Sequence, residues 1–336
     1  MVKKIDFYVD VIDNYWDLWF AINLLFIMLK NDLELEVRLF SNDEKLFKNM
    51  TQNNDNTKRV FYYDLSEINY FEPNKLIFNF FDRKIDFDFL KSKKYEIKLV
   101  NFTYFLMHKW VENLHLTSYS DKNINIVHFV PSLLENTGWI LINKSETNYL
   151  KNDFIEYLNN KYSLNINLKF DKKYISIFVY KDTLNELLIN LNQDKNIYFI
   201  FWYPDLDIKN DNIIVMPFIE LQDYNNFLNI CDINFVRGEN SLISSLICWK
   251  PTLWDIYKEK NNAHIEKISD FINFLEKFGF EKDYFDLFIW FNMSNKFIFF
   301  DKFTNDFLDY NSKFQTISKY IINNCDAYEK IKKILN

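Results

Sequence analysis

Two short stretches of this chain carry residue types that can do chemistry. In the first, the apolar run Ile233–Val236 leads into Arg237-Gly238-Glu239-Asn240-Ser241, where a helical pattern begins near Glu239. Gly238 is one of only 3 glycines in 336 residues, so a glycine there answers a geometric need. Glycine permits positive φ and lets the backbone come close to a ligand. Asn240 and Ser241 are cap-type residues at the expected helix start, where free N–H groups and the helix dipole favour an anion. Arg237 adds a permanent charge whose planar fork matches phosphate oxygens. The segment reads as a phosphate or diphosphate cradle, and an ordinary strand–turn–helix junction with a surface arginine is the structural alternative. In the second stretch, Val11-Ile12-Asp13-Asn14-Tyr15-Trp16-Asp17, two carboxylates lie four residues apart where a strand gives way to a helix. Paired acids there can act as a base and its orienter. The alternative is that Asp13 caps the helix while Asp17 complements the first-turn dipole.

The elements that must position these residues alternate between strand and helix. Lys4–Ile12 has strand content and Tyr15–Leu29 a helical apolar pattern. Leu35–Phe40, Lys75–Phe80 and Ile97–Val100 follow as short buried strands, then a second series at Tyr174–Tyr180, Ile197–Trp202, Ile213–Pro217, Ile233–Val236 and Thr252–Trp254. Helical patterns at Leu184–Leu191, Asp223–Ile230 and Glu239–Cys248 separate the later strands. Short apolar strands alternating with helices predict an α/β fold of parallel sheets covered on both faces. Polar stretches at Ser145–Asp153 and Asn159–Lys172 divide the series into two doubly wound, Rossmann-like units. Ligands in such sheets bind beyond the carboxyl ends of the strands, where both stretches fall. The expected boundaries are 1–165 and 166–314, with a final helix over Phe314–Leu335 returning to the first unit.

Composition narrows the function classes. The net charge is −7 and there is no concentrated Lys/Arg stripe, which disfavours nucleic acid as the main partner. Three cysteines without a CxxC pair point to free thiols in a reducing compartment, with Cys231 and Cys248 as core filler. The four histidines show no metal-ligand spacing. The N-terminus is broken by Asp6 and Asp10, and runs such as Leu287–Phe291 are too short to span a bilayer, so the cytoplasm is the expected compartment and no membrane partner is expected. The abundance of Phe, Ile, Asn and Lys reflects AT-rich codon usage.

In register, the motifs resemble the protein-arginine rhamnosyltransferases that modify elongation factor P. The family's V-I-D-N-[FY]-G-D-I-G is similar to Val11-Ile12-Asp13-Asn14-Tyr15-Trp16-Asp17-Leu18-Trp19, and its R-G-E-D-S to Arg237-Gly238-Glu239-Asn240-Ser241. A middle motif resembles Asn101-Phe102-Thr103-Tyr104-Phe105 with Leu114-His115-Leu116 after it. Pro217-Phe218, Gln222-Asp223, Lys250-Pro251, Trp254, Ile256-Tyr257, His264 and Lys267 complete a series in register from about residue 5 to residue 270.

The resemblance implies a GT-B glycosyltransferase of two Rossmann-like domains facing across a cleft, acceptor domain first and donor domain second. It implies inverting, metal-independent transfer of L-rhamnose from dTDP-β-L-rhamnose to an arginine of elongation factor P, with no cofactor. Carried over by motif, Asp17 is the general base, Asp13 its supporting carboxylate and Glu239 a third catalytic residue. Arg237, Gly238, Asn240 and Ser241 bind the diphosphate, and Phe218, Gln222, Phe178, Tyr180 and Tyr257 surround the nucleotide or sugar. Two rivals share the fold: a relative that binds elongation factor P without transferring sugar, and a GT-B transferase with another acceptor.

The chain departs from the pattern at glycine. Trp16, Trp19, Trp139 and Trp249 stand where the family has Gly, Asn240 replaces Asp, and Thr103 replaces an acid. Ordinary usage of about 7% would give roughly 23 glycines. Three accounts are open: adaptation, with Trp stacking on sugar or guanidinium; degeneration in an AT-rich genome; or misread codons, since GGA and UGA differ by one base.

Overall fold

The computed structural model describes residues 3–12, 16–51, 55–81, 83–139, 150–167, 169, 171–191, 196–203, 205–208, 210–258, 263–293 and 310–335. The chain divides into two units, Met1–Ile142 with Asn324–Asn336, and Asn143–Asn323. The division falls earlier than the expected 165/166 because the helix Lys151–Tyr162 groups with the second unit. Its Lys161 pairs with Asp223 at 2.9 Å and Tyr162 donates to the same carboxylate at 2.6 Å.

Among the described residues of the first unit, seven strands run β1 (Lys3–Val9), β2 (Leu35–Ser41), β3 (Val60–Asp64), β4 (Leu76–Phe80), β5 (Ile97–Phe102), β6 (Ser118–Asp121) and β7 (Ile124–Phe129). Their order across the sheet is β3-β2-β1-β4-β5-β7-β6. All neighbours are parallel except the terminal β6–β7 hairpin. The helix Trp16–Asn31 lays Phe20 edge-on against Phe80, Phe102 and Trp139, with centroids 5.4–6.3 Å apart. Phe20 is fully buried, so its loss to Ala costs about 3–5 kcal/mol. Part of the phenylalanine surplus fills this core, where Phe80 stacks on Phe102, and Phe78 and Phe129 pack against the same ring at a tilt.

Burial on both faces requires any charge inside to be paired. Asp6 on β1, fully buried, accepts both arms of the Arg38 fork at 2.7 and 2.8 Å and two further N–H bonds from Asn74.

Among the described residues of the second unit, five parallel strands form the sheet: β8 (Tyr174–Ile177), β9 (Ile197–Ile200), β10 (Ile213–Val215), β11 (Ile233–Arg237) and β12 (Thr252–Asp255), in the order β10-β9-β8-β11-β12. β8, β9 and β12 are buried throughout, as a sheet covered on both faces requires.

The C-terminal segment is two helices, Asn311–Asn324 and Ala327–Leu335, where the sequence pattern suggests one. The break lies where Trp139 bonds across it, its N–H to Cys325 O at 2.8 Å and its carbonyl to the Ala327 N–H at 2.8 Å. Gly138 permits that approach, because a Cβ there would lie 2.8 Å from the Ala327 Cα. Asp326 then accepts the Tyr328 N–H at 2.9 Å, starting the last helix against the first unit.

Candidate functional site

Within the second unit, the site grows from the carboxyl edge of the sheet. β11 ends at Arg237, and Gly238 follows at φ +67, a left-handed conformation that a side chain resists. The helix Gly238–Ile247 starts immediately, one residue earlier than its pattern suggests. Its N-cap is Arg237, which makes no side-chain cap bond, and Asn240 and Ser241 lie inside the first turn instead of capping it. The first-turn N–H groups of such a helix have no intrahelical partner, so the end can receive an anion.

Around Arg237 the neighbouring strand ends supply aromatic rings. Its guanidinium lies 4.6 Å from the centroid of Phe178, 5.0 Å from Tyr180 and 5.9 Å from Trp202. Trp202 packs on Phe218 at 5.6 Å, and Tyr180 meets Tyr257 edge-on at 5.5 Å. Phe218, Gln222 and Tyr257 are exposed, presenting contact surface to solvent, and Trp202 is half exposed. A cation stacked on rings is held without being neutralised, so its fork stays available to an anionic ligand.

Beneath the rings, Asp255 at the end of β12 accepts the Tyr180 N–H at 2.7 Å and the Thr183 hydroxyl at 3.1 Å. Burial pushes its carboxyl up to about 6 despite those bonds. Asn292 braces the adjoining loop, accepting the Ile256 N–H at 2.8 Å and donating to Trp254 O at 3.0 Å. Glu239 is partly buried and pairs with Lys267 at 3.5 Å, bringing together two positions of the sequence pattern. Ser241 is buried beside Tyr224. The Asn240 Oδ1 is buried with no hydrogen-bond partner among the described residues, an acceptor that a ligand hydroxyl can satisfy.

The second set belongs to the first unit. Asp17 sits in the first turn of the helix Trp16–Asn31, fully buried, and accepts the Ile12 N–H at 2.9 Å. That bond links Ile12 to the first turn of the helix. Asp13 lies outside the described residues. Of the middle motif, Asn101 is the next-to-last residue of β5 and accepts from Asn79 at 2.6 Å. His115 is a buried latch: its Nδ1 accepts the Val130 N–H at 3.1 Å, and burial pushes its pKa down to about 4.

Cys231 is fully buried and the Cys248 thiol is pushed up to about 12 by burial, so both are packing residues. No cluster of three metal-ligating side chains occurs among the described residues, and no described helix is long and apolar enough to cross a membrane. Trp249 occupies the residue after the C-cap of the helix Gly238–Ile247 at φ +62, and Trp202 has φ +75. The left-handed region is where helices ordinarily place glycine, and a bulky residue there is strained. Trp202 and Asp255 were not singled out from sequence. Their signal was position, since each lies at the carboxyl end of an expected strand.

Two units of this kind define a GT-B glycosyltransferase fold. A solved structure described as the structural basis for EarP-mediated arginine glycosylation of translation elongation factor EF-P superposes with TM-score 0.62 at 14% identity, covering 99% of this chain and 98% of that one. The spinosyn rhamnosyltransferase SpnG complexed with thymidine diphosphate gives 0.56 at 9% identity, covering 99% and 100%. The model of the Elongation-Factor P (EF-P) rhamnosyltransferase EarP matches residues 5–336, and the chain belongs to that family. The protein-arginine rhamnosyltransferase of Pseudomonas aeruginosa is 38% identical over 58 residues, and that of Pseudomonas putida 41% over 58. The one from Neisseria meningitidis serogroup B is 32% identical over 59. These matches span 17–18% of this chain and 15% of the length of each relative.

Proposed function

We propose that this chain transfers L-rhamnose from dTDP-β-L-rhamnose to an arginine side chain of elongation factor P, inverting the anomeric carbon without a metal. The observation that carries this reading is the Arg237–Gly238 turn, a left-handed glycine opening a helix beside a ring-stacked guanidinium. In this reading the helix N-terminus and Arg237 take the diphosphate, and their charge stabilises it as it leaves. Asn240 and Ser241 add polar contacts to the donor, while Phe178, Tyr180, Phe218, Gln222 and Tyr257 hold the nucleotide and sugar. Glu239, tethered by Lys267, positions the reacting groups.

An arginine nitrogen is a poor nucleophile because its pKa exceeds about 12. Asp17, with Asp13 beside the guanidinium, takes an Nη–H proton as the Nη–C1 bond forms. The C1–O bond to the diphosphate breaks, and dTDP departs with the electron pair. Aspartate suits this step because its charge both attracts the guanidinium and accepts the proton.

The test is incubation of elongation factor P with the chain and dTDP-β-L-rhamnose, read by intact mass and by proton NMR of the product. The expected result is a gain of one deoxyhexose in the α configuration, lost when the acceptor arginine is changed to lysine. No gain in mass, or a product of retained configuration, would overturn the proposal.

A further inference from the structure

A second polar recess lies on the first unit, at the carboxyl end of β4, β5 and β7. It is a cleft of about 340 Å³ whose walls include Asn79, Arg83, Lys84, Tyr119 and His128. A neighbouring recess of about 260 Å³ shares Arg83 and Lys84. The Asp17 turn and this cleft follow adjacent strands, because β1 pairs with β4. Neither Arg83 nor His128 belongs to the motifs that carry the donor site.

Arg83 is half-buried, and among the described residues no carboxylate lies within ion-pair distance of it. Its guanidinium rests 5.7 Å from the centroid of the Tyr8 ring, and its own carbonyl is tied down by the Asn79 amide at 3.0 Å. Burial lowers its pKa, with Asp10 offsetting only part of the effect. A desolvated cation without an anion is unfavourable, and a carboxylate brought to it is bound by a bidentate, charge-assisted pair. Independently, Asn79, a residue of the cleft lining, is 1% exposed and its Oδ1 has no hydrogen-bond partner among the described residues. A buried acceptor left empty costs about 1–3 kcal/mol, which an incoming N–H relieves. Apart from Asn101, the rest of the lining is apolar, Ile85, Phe87, Leu99 and Ile126, and Tyr119 stacks on His128 at 5.8 Å.

A carboxylate on an apolar stem, with an N–H close by, matches this combination. An acidic side chain on a polypeptide has that shape. Bare phosphate would leave the apolar walls uncovered. We infer that the Arg83 cleft docks an aspartate or glutamate side chain of the acceptor protein, with Arg83 and Lys84 on the carboxylate and Asn79 receiving a peptide N–H. This inference rests on the proposed transfer to elongation factor P. It makes Arg83 a determinant of acceptor recognition that takes no part in the chemistry.

The experiment measures initial rates of rhamnose transfer by the full chain while elongation factor P and dTDP-β-L-rhamnose are varied in turn. Arg83→Gln is expected to raise the acceptor KM about tenfold and to flatten its dependence on salt, with kcat and the donor KM within about twofold. Arg83→Lys, which keeps the charge but loses the fork, is expected to fall between and serves if the glutamine variant does not fold. Replacing the docked acidic residue of elongation factor P, found by changing each to Gln in turn, should raise the wild-type acceptor KM equally and add nothing to Arg83→Gln. An unchanged acceptor KM in both Arg83 variants, or a fall in kcat alone, would overturn the inference while the transferase reading stands. If wild type transfers no rhamnose, that reading fails and this one with it.

Discussion

In the proposed transfer, the carboxyl edges of the two sheets have opposite tasks. In the second unit the edge is open and pre-formed: Phe218 and Tyr257 face solvent, Arg237 lies across three rings, and a left-handed glycine starts the helix. In the first unit Asp17 is fully buried and accepts the Ile12 N–H. A diphosphate already carries its charge and needs only a fixed cradle. A base is most useful when water is kept from it until the acceptor arrives. The difference teaches that donor affinity should be insensitive to Asp17, and turnover acutely sensitive to it.

The largest expected effect is at Asp17. Asp17→Ala should lower kcat by about 10²–10⁴ with donor affinity unchanged, as single-turnover transfer and calorimetry would show. Next, Arg237→Ala should weaken dTDP binding by about 10–100-fold, measured by calorimetry, because it removes a charge-assisted fork from the diphosphate.

A smaller effect sharpens the account of the donor edge. Asp255 has a folded-state pKa of about 6, above its ordinary value of 3.8. The folded state therefore holds a proton that the unfolded state has released. The resulting stability is present below about pH 4 and is lost as pH rises through about 6, up to about 2–3 kcal/mol at about 1.4 kcal/mol per pH unit. Denaturant titrations from pH 4 to 7 should show this decline, and Asp255→Asn should flatten it.

The smallest effect concerns the tryptophans. Trp249→Gly should raise stability by about 1 kcal/mol in thermal unfolding, because it relieves a left-handed conformation at a helix terminus. Mass spectrometry of the natural protein addresses the codon account: glycine at 16 and 249 would establish it, and tryptophan there would refute it.

Much of the fold was legible because most strands are short apolar runs between helices. β3 escaped notice since its pattern, Val60–Asp64, is half exposed at a sheet edge and carries no buried run. The β6–β7 hairpin was missed for a similar reason, with most of β6 exposed. The break at Cys325–Asp326 was invisible because Trp139, far away in sequence, creates it. In the site, Gly238 was legible through its rarity, and its φ of +67 supplies the geometric need. The helix cap was misassigned because Asn and Ser are frequent caps, while here the turn is set by glycine and Arg237. The Arg83 cleft was not legible, since Asn79 and His128 come from different strands and meet only through sheet order.

The most direct test crosses the two edges in one experiment: kcat and donor Kd measured in parallel for Asp17→Ala and Arg237→Ala. The account predicts that Asp17→Ala loses at least about 100-fold in kcat with donor Kd within about twofold, whereas Arg237→Ala loses at least about tenfold in donor affinity. An Asp17→Ala variant that keeps most of its turnover, or an Arg237→Ala variant that binds donor as wild type does, would contradict it.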